Sequence, residues 1–350
     1  MEYVNLGRSG LKVSRFSYGN GVIPIKDDEE AAQNFANNQI KAAWEQGINH
    51  FDTAEMYGFG KEEQRTGIAL KALGVPRSDY VVSTKIFFGK FKDNTHAYNS
   101  VGTSRKRIQE GLDRSLKNLD LDYVDVLFLH RYDEDTPTVE VCRAMKDVIA
   151  SGKALYWATS TWPAIRVMEA LLLCDAVGCP RPIAEQCQYS MLNRDEVERD
   201  YVALLKDYGL GTTVYSPLAC GVLTGKYNEG IPEGSRFDKV KGYRFVYDHF
   251  FGEENNKETV EKLTALGEIA KRIGCTQPQL ALAWILKFRD ISTAIFCASS
   301  EKQIKENVES LKFVEKLTPE ILEEIEGILK NRPDRGVDYR NNNVPLPFRR

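Results

Sequence analysis

The chain has 350 residues, 42% of them hydrophobic, and carries a formal charge of −3 from 47 basic and 50 acidic side chains. A chain this long buries a large core without needing disulfides or metal. Its charge near zero excludes general attraction to nucleic acid or to an anionic membrane.

In chain order, EYVNLGRSGLKVS reads first as a β-hairpin turning at Ser9–Gly10, placed to close the bottom of a barrel. Short β-rich runs then alternate with stretches of helical period. The runs are RFSYG (15–19), HFDTA (50–54), VVSTK (81–85), YVDVLFLH (123–130), YWATS (156–160), IAEQCQYS (183–190), TTVYSP (212–217) and TAIFCAS (293–299). Between them, EEAAQNFANNQIKAAWEQG, SRKRIQEGLDRSLKNL and PAIRVMEALLLCDAVG repeat apolar residues every three to four positions, and Gly stops several helices. This rhythm of βα units predicts an α/β fold, a TIM (β/α)8 barrel. Segment 218–256 is rich in Gly, Pro and charge and has no clear period; so long a loop after the seventh strand is usually functional. A helix at about 319–330 and a polar tail, 331–350, complete one barrel domain over 1–350.

The seven cysteines include no C-x-x-C pair, and the four histidines stand apart from them, so neither a disulfide framework nor zinc spacing is expected. The N-terminus has no apolar core of signal-peptide length, and no stretch reaches the roughly 18 apolar residues of a membrane span. A cytoplasmic protein without membrane insertion is the expectation.

Polar residues close the predicted strands: Asp52, Lys85, His130, Ser160, Ser216 and Ser299, with Gln186 inside the sixth. In a barrel these ends open on one face, where barrel active sites sit. A single lysine closing a strand is most often solvated, and a single histidine among apolar residues is usually structural. Three such ends on adjacent strands, with Tyr57 in the loop after the first, are harder to dismiss. A phenol is a poor acid at neutral pH. A nearby ammonium stabilises its phenolate, a carboxylate keeps that ammonium charged, and an imidazole can position a carbonyl oxygen. Asp52, Lys85, Tyr57 and His130 therefore compose a general acid with orienting partners. Carbonyl reduction needs such an acid, and also a hydride that no side chain supplies, which implies a nicotinamide.

No G-x-G-x-x-G fingerprint accompanies this: GFGKEE (58–63) has Glu63 in place of the third Gly, and GVLTGKY (221–227) fails as a P-loop. ASSEKQIKEN (298–307) puts Ser299 and Ser300 at a strand-to-helix junction before Lys302, Gln303 and Asn307. Helix amides and an ammonium there favour a phosphate. An ordinary serine cap explains the same stretch equally well.

FDTAEMYG, STK, the His closing YVDVLFLH, EQCQY, YSPLACGVLTGKY and ASSEKQIKEN resemble the aldo-keto reductase superfamily. YVDVLFLHRYDEDTPTVEVCRAM, YWATSTW and GCTQPQLALAWIL are similar to its voltage-gated potassium channel β-subunit branch, with the resemblance spanning about 4–340. It implies NADPH lying across the C-terminal face of the barrel and hydride transfer to a small aldehyde or ketone. Asp52, Tyr57, Lys85 and His130 match the catalytic tetrad, with Tyr57 as acid. Ser160 and Gln186 match the carboxamide-binding positions and Tyr215 the aromatic that stacks on the nicotinamide. Ser216, Pro217, Leu218, Ala219, Cys220, Lys226 and Arg236 match the loop around the pyrophosphate. Ser299, Gln303, Glu306 and Asn307 match the adenosine end. The resemblance also raises a homotetramer and a channel α-subunit as partners.

Departures accompany it. The channel subunits carry Asn at the position of His130, which favours catalysis here over cofactor sensing alone. Gly19-Asn20-Gly21 replaces Gly-Thr-Trp after the first barrel strand, Thr161 an Arg, Gly234 a Tyr and Cys297 a Gly. The aromatic-rich 87–100 could accept an apolar carbonyl compound or simply pin its own loop.

Overall fold

Along the predicted strands, alternate residues differ in kind, so each strand has one face for the barrel interior and one for the helices outside. The computed structural model, which describes residues 1–21, 28–89 and 98–336, closes these strands into a parallel barrel. The strands are β3 (Phe16–Gly19), β4 (His50–Asp52), β5 (Val81–Ile86), β6 (Val124–Leu129), β7 (Ala154–Ser160), β8 (Ala184–Gln188), β9 (Gly211–Tyr215) and β10 (Thr293–Phe296), with β10 pairing back to β3. On the outer face Val82, Ile86, Leu127, Leu129 and Trp157 join the main hydrophobic core shared with the helices.

The expected hairpin forms from β1 (Tyr3–Asn5) and β2 (Lys12–Ser14). Its Leu6 and Val13 pack against Val81, Val126, Phe128, Ala158 and Ala184, which seals the bottom of the barrel as anticipated. The approach is close enough that a Cβ on Gly7, at φ +60°, would lie 2.5 Å from Gly211 N and from Ile183 O. Only glycine fits there.

Around the barrel run α1 (Glu29–Glu45), α2 (Lys61–Ala72), α3 (Arg105–Leu119), α4 (Thr138–Ala150), α5 (Ala164–Val177), α6 (Val202–Lys206), α7 (Arg236–Lys239), α8 (Arg244–Phe251), α9 (Asn256–Ile273), α10 (Gln277–Lys287), α11 (Glu301–Glu309) and α12 (Pro319–Leu329). The region read as an aperiodic loop, 218–256, contains the 3-10 turn Ala219–Thr224 together with α7 and α8. Helices this short cover too few turns to leave a periodic signature. An aromatic cluster of Tyr227, Phe237, Tyr247 and Phe251 holds them together. Parts of two sequence features, 87–100 and the tail 331–350, lie outside the described residues. Among the described residues no helix is long and apolar enough to cross a membrane.

Candidate active site

The loop after β4 is folded back across β5, and this places the phenol. Glu55 N donates to Lys85 O at 3.2 Å, while Glu55 Oε1 accepts from Phe87 N at 2.7 Å and Gly89 N at 3.2 Å. Its other oxygen pairs with buried Arg107 of α3. Tyr57 follows within one turn, its N–H on Ala54 O at 3.0 Å. On the opposite side a Cβ on Gly21 would meet the Tyr57 ring at 2.8 Å. Asn20 ties that wall to α2 through Glu62 O at 3.0 Å and Thr66 Oγ1. The Gly-Asn-Gly departure thus makes room for the phenol where a bulkier residue would displace it.

Beneath Tyr57, Lys85 Nζ binds Asp52 Oδ2 and also donates to Thr53 O at 2.8 Å. The ammonium lies 5.1 Å from the centroid of the Tyr57 ring. Asp52 Oδ1 accepts from Ser83 Oγ at 2.6 Å and from Gln186 Nε2 at 3.3 Å. From Ser83 a hydrogen-bonded chain continues through the barrel interior: 2.9 Å to His50 Nε2, 2.7 Å from His50 Nδ1 to Ser17, and 2.7 Å on to Thr293. A buried ion pair is retained only when its remaining lone pairs and protons find partners, and this chain supplies them.

Burial dominates the protonation of the site. It raises the Tyr57 pKa, with Asp52 acting in the same direction and Arg131 opposing. Burial and Asp52 thus set the protonation of this phenol, and Tyr57 keeps its proton at neutral pH. Burial lowers the pKa of Lys85 against the pull of Asp52. It also lowers that of His130 well below its ordinary value, helped by Lys85 and Arg131, so this imidazole is neutral. The rings of Tyr57 and His130 meet edge-to-face at 6.1 Å, and Phe88 abuts His130 at 5.2 Å.

These groups lie at the base of a cavity of about 1150 Å³. Every proposed site residue except Lys85, which Asp52 holds below the floor, lines it. Among the described residues Ser160 Oγ is buried without a protein partner and so offers a hydrogen bond to the cavity. Tyr215 stands alongside, with its hydroxyl 3.4 Å from Thr161 Oγ1. The loop after β9 turns sharply: Ser216, Ala219 and Cys220 adopt φ of 54°, 46° and 57°. Non-glycine residues in the left-handed region concentrate at ligand clamps. Lys226, its pKa lowered by burial and then by Arg236, belongs to a cationic pair beside this turn. Neither makes an ion pair with a carboxylate among the described residues, so the donor set suits a diphosphate. At the far end Ser300 is the cap of α11, accepting from Gln303 N at 3.3 Å, as the ordinary reading held. Ser299 instead binds Gln303 Oε1 through N at 2.9 Å and Oγ at 3.0 Å. Lys302 lines a separate shallow groove against α1.

A phenol over a buried lysine–aspartate pair, beside a neutral imidazole and at the open end of a parallel barrel, is the arrangement anticipated from the strand ends. The description of the Aldo/keto reductase family matches residues 17–330. The chain belongs to this family. Its members generally use a nicotinamide cofactor, and the residues above fit one: an inward hydroxyl at Ser160, an aromatic at Tyr215 and a cation-lined strained turn. A Schizosaccharomyces pombe protein, provisionally named a voltage-gated potassium channel subunit beta, is 45% identical over 338 residues, covering 96% of this chain and 95% of its own. An Oryza sativa subsp. japonica protein with a similarly provisional name of the same kind is 41% identical over 346 residues, covering 97% and 100%. The sequence is thus that of an aldo/keto reductase-type oxidoreductase.

Other cavity residues escaped the sequence reading. Arg131, Asn193, Tyr243 and His249 also line it. Arg131 was within reach as the neighbour of His130. Asn193 lies in a loop, Tyr243 in a 3-10 turn and His249 in the short helix α8, where neither period nor motif marks them.

Proposed function

We propose that the protein is an NADPH-dependent reductase of aldehydes or ketones, with Tyr57 as the proton donor. The observation that carries this is the protonated phenol held beside a neutral imidazole and above the Lys85–Asp52 pair, at the base of a cavity long enough to be lined from Asp52 to Asn307. Bound NADPH would supply the hydride. Ser160 and Gln186 would hold its carboxamide and Tyr215 would lie against its ring. Residues 216–220, Lys226 and Arg236 would wrap the pyrophosphate, and Ser299, Gln303, Glu306 and Asn307 the adenosine end. His130 would orient the substrate carbonyl, and Tyr57 would deliver its proton to the developing alkoxide while Lys85 stabilises the phenolate left behind. NADPH oxidation by the purified protein against small aldehydes tests the reading, with Tyr57→Phe as control. Turnover that the variant loses supports it, and loss of cofactor binding in that variant counts against Tyr57 as the acid.

A second reading is a cofactor-binding regulatory subunit of a potassium channel, sensing redox state with slow catalysis. The similarity to two proteins named as such subunits, over nearly their full lengths, supports it. Mass in solution bears on it, because a strict monomer speaks against a four-fold channel-type assembly.

A further inference from the structure

We propose that the carbonyl substrate carries a carboxylate and that Arg131 anchors it, an inference that rests on the reductase reading above. Arg131 follows His130 directly, so the strand that delivers the imidazole also delivers a guanidinium to the same cavity wall. The side chain is half-buried. Its Nη1 donates to His130 O at 2.5 Å, and its guanidinium carbon lies 5.7 Å from the centroid of the Phe88 ring. The fork is therefore braced on its own backbone and against an aromatic edge of the pocket. A guanidinium has five N–H donors, and this contact uses one.

Other arginines removed from solvent meet a carboxylate: Arg107 with Glu55, Arg77 with Asp125 and Arg194 with Glu198. Among the described residues Arg131 makes no ion pair of this kind. The acid that feels it is Glu196, whose carboxyl is raised by burial and pulled down by Arg131 without coming into salt-bridge contact. A cation withdrawn from water without a contacting anion is costly, and a ligand carboxylate offsets that cost through paired hydrogen bonds. Met56, Phe88 and Leu192 line the same cavity and supply apolar wall for the carbon skeleton between the two ends of the substrate. The expected class is an oxo acid or an aromatic aldehyde bearing a carboxylate. An ammonium at the same place would face a like charge.

The test compares kcat/KM with NADPH for para-carboxybenzaldehyde and its methyl ester, and for succinic semialdehyde and butanal. It uses the native protein, Arg131→Gln and Arg131→Lys. The native protein should prefer the acid of each pair. Arg131→Gln should lower the acid-to-neutral ratio by roughly ten- to a hundredfold, mainly through KM, as loss of a charge-assisted contact does. Arg131→Lys should recover part of the ratio. Turnover of the neutral aldehydes with no preference for the acids overturns the anchor alone. So does an Arg131→Gln loss equal for acid and ester, which would assign the guanidinium to the Tyr57 proton instead. NADPH binding without turnover of any of the four aldehydes overturns the reductase reading, and the anchor with it.

Discussion

Along the strands of this barrel the inward residues change in character from one end to the other. On β5 they run Val81, Ser83, Lys85, on β6 Val126 and Phe128 lead to His130, on β7 Ala158 leads to Ser160, and on β8 Ala184 leads to Gln186. At the hairpin end the apolar members meet Leu6 and Val13 in a sealed cluster. At the open end the polar members are equally withdrawn from water, but Lys85 and Gln186 are held by Asp52 and by the chain through Ser83 and His50, whereas Ser160 faces the cavity. One end gains free energy from burial and the other pays for it. The contrast separates stability from chemistry within single strands a few residues long.

Substitutions should divide along the same line. The largest effect is expected from Tyr57→Phe, which should cut kcat by about 10²–10⁴-fold. Its NADPH affinity, measured by fluorescence titration, should stay close to native. Lys85→Met should strike both properties, because it leaves Asp52 buried without its counter-ion. A loss of about 3–5 kcal/mol in denaturant unfolding is expected, together with loss of turnover. At the other end Phe128→Ala should cost about 3–5 kcal/mol in the same unfolding experiment. The kcat of the protein that remains folded should change far less than in Tyr57→Phe; a comparable fall would mean that the two ends are mechanically coupled. Ser160→Ala should be milder, weakening NADPH binding by roughly three- to tenfold as one neutral hydrogen bond is lost.

A further expectation concerns pH. Burial lowers the His50 pKa from 6.5 to about 4, with Lys85 assisting and Asp52 opposing. Between those values the unfolded chain takes up a proton that the folded chain refuses, so this group's contribution to stability falls as pH drops from about 6.5 towards 4. Each pH unit within that window is worth about 1.4 kcal/mol. His50→Asn should unfold more readily at pH 7 but lose less stability on acidification across that window. Parallel stability–pH curves for the two proteins would remove His50 from the account.

Much of this was legible in the chain. The eight strand runs stand out because strands buried on both faces concentrate β-branched and aromatic residues. Their far ends were overread: the run at 183–190 yields β8 only over Ala184–Gln188, and the run at 293–299 yields β10 only over Thr293–Phe296. Beyond those points the chain keeps strand-like composition while turning into the cavity wall. The helices between 236 and 251 were illegible because they cover too few turns for a period to emerge. Glu55 and Arg107, which set the loop carrying Tyr57, lie too far apart in sequence for any local pattern to join them.

The sequence by itself determined the barrel, the hairpin at its base and the row of polar strand ends, since these follow from periodicity and from the common direction of parallel strands. Only the tertiary structure decided which of those polar groups satisfy one another and which face the cavity with capacity to spare. Ser83 and Gln186 close on Asp52, whereas Ser160 and Arg131 turn toward the space where a ligand would lie. That division depends on the register in which neighbouring strands meet, with Asp52 opposite Ser83 and Lys85 opposite Phe128. Register is fixed by packing over the whole closed sheet, which no single strand encodes.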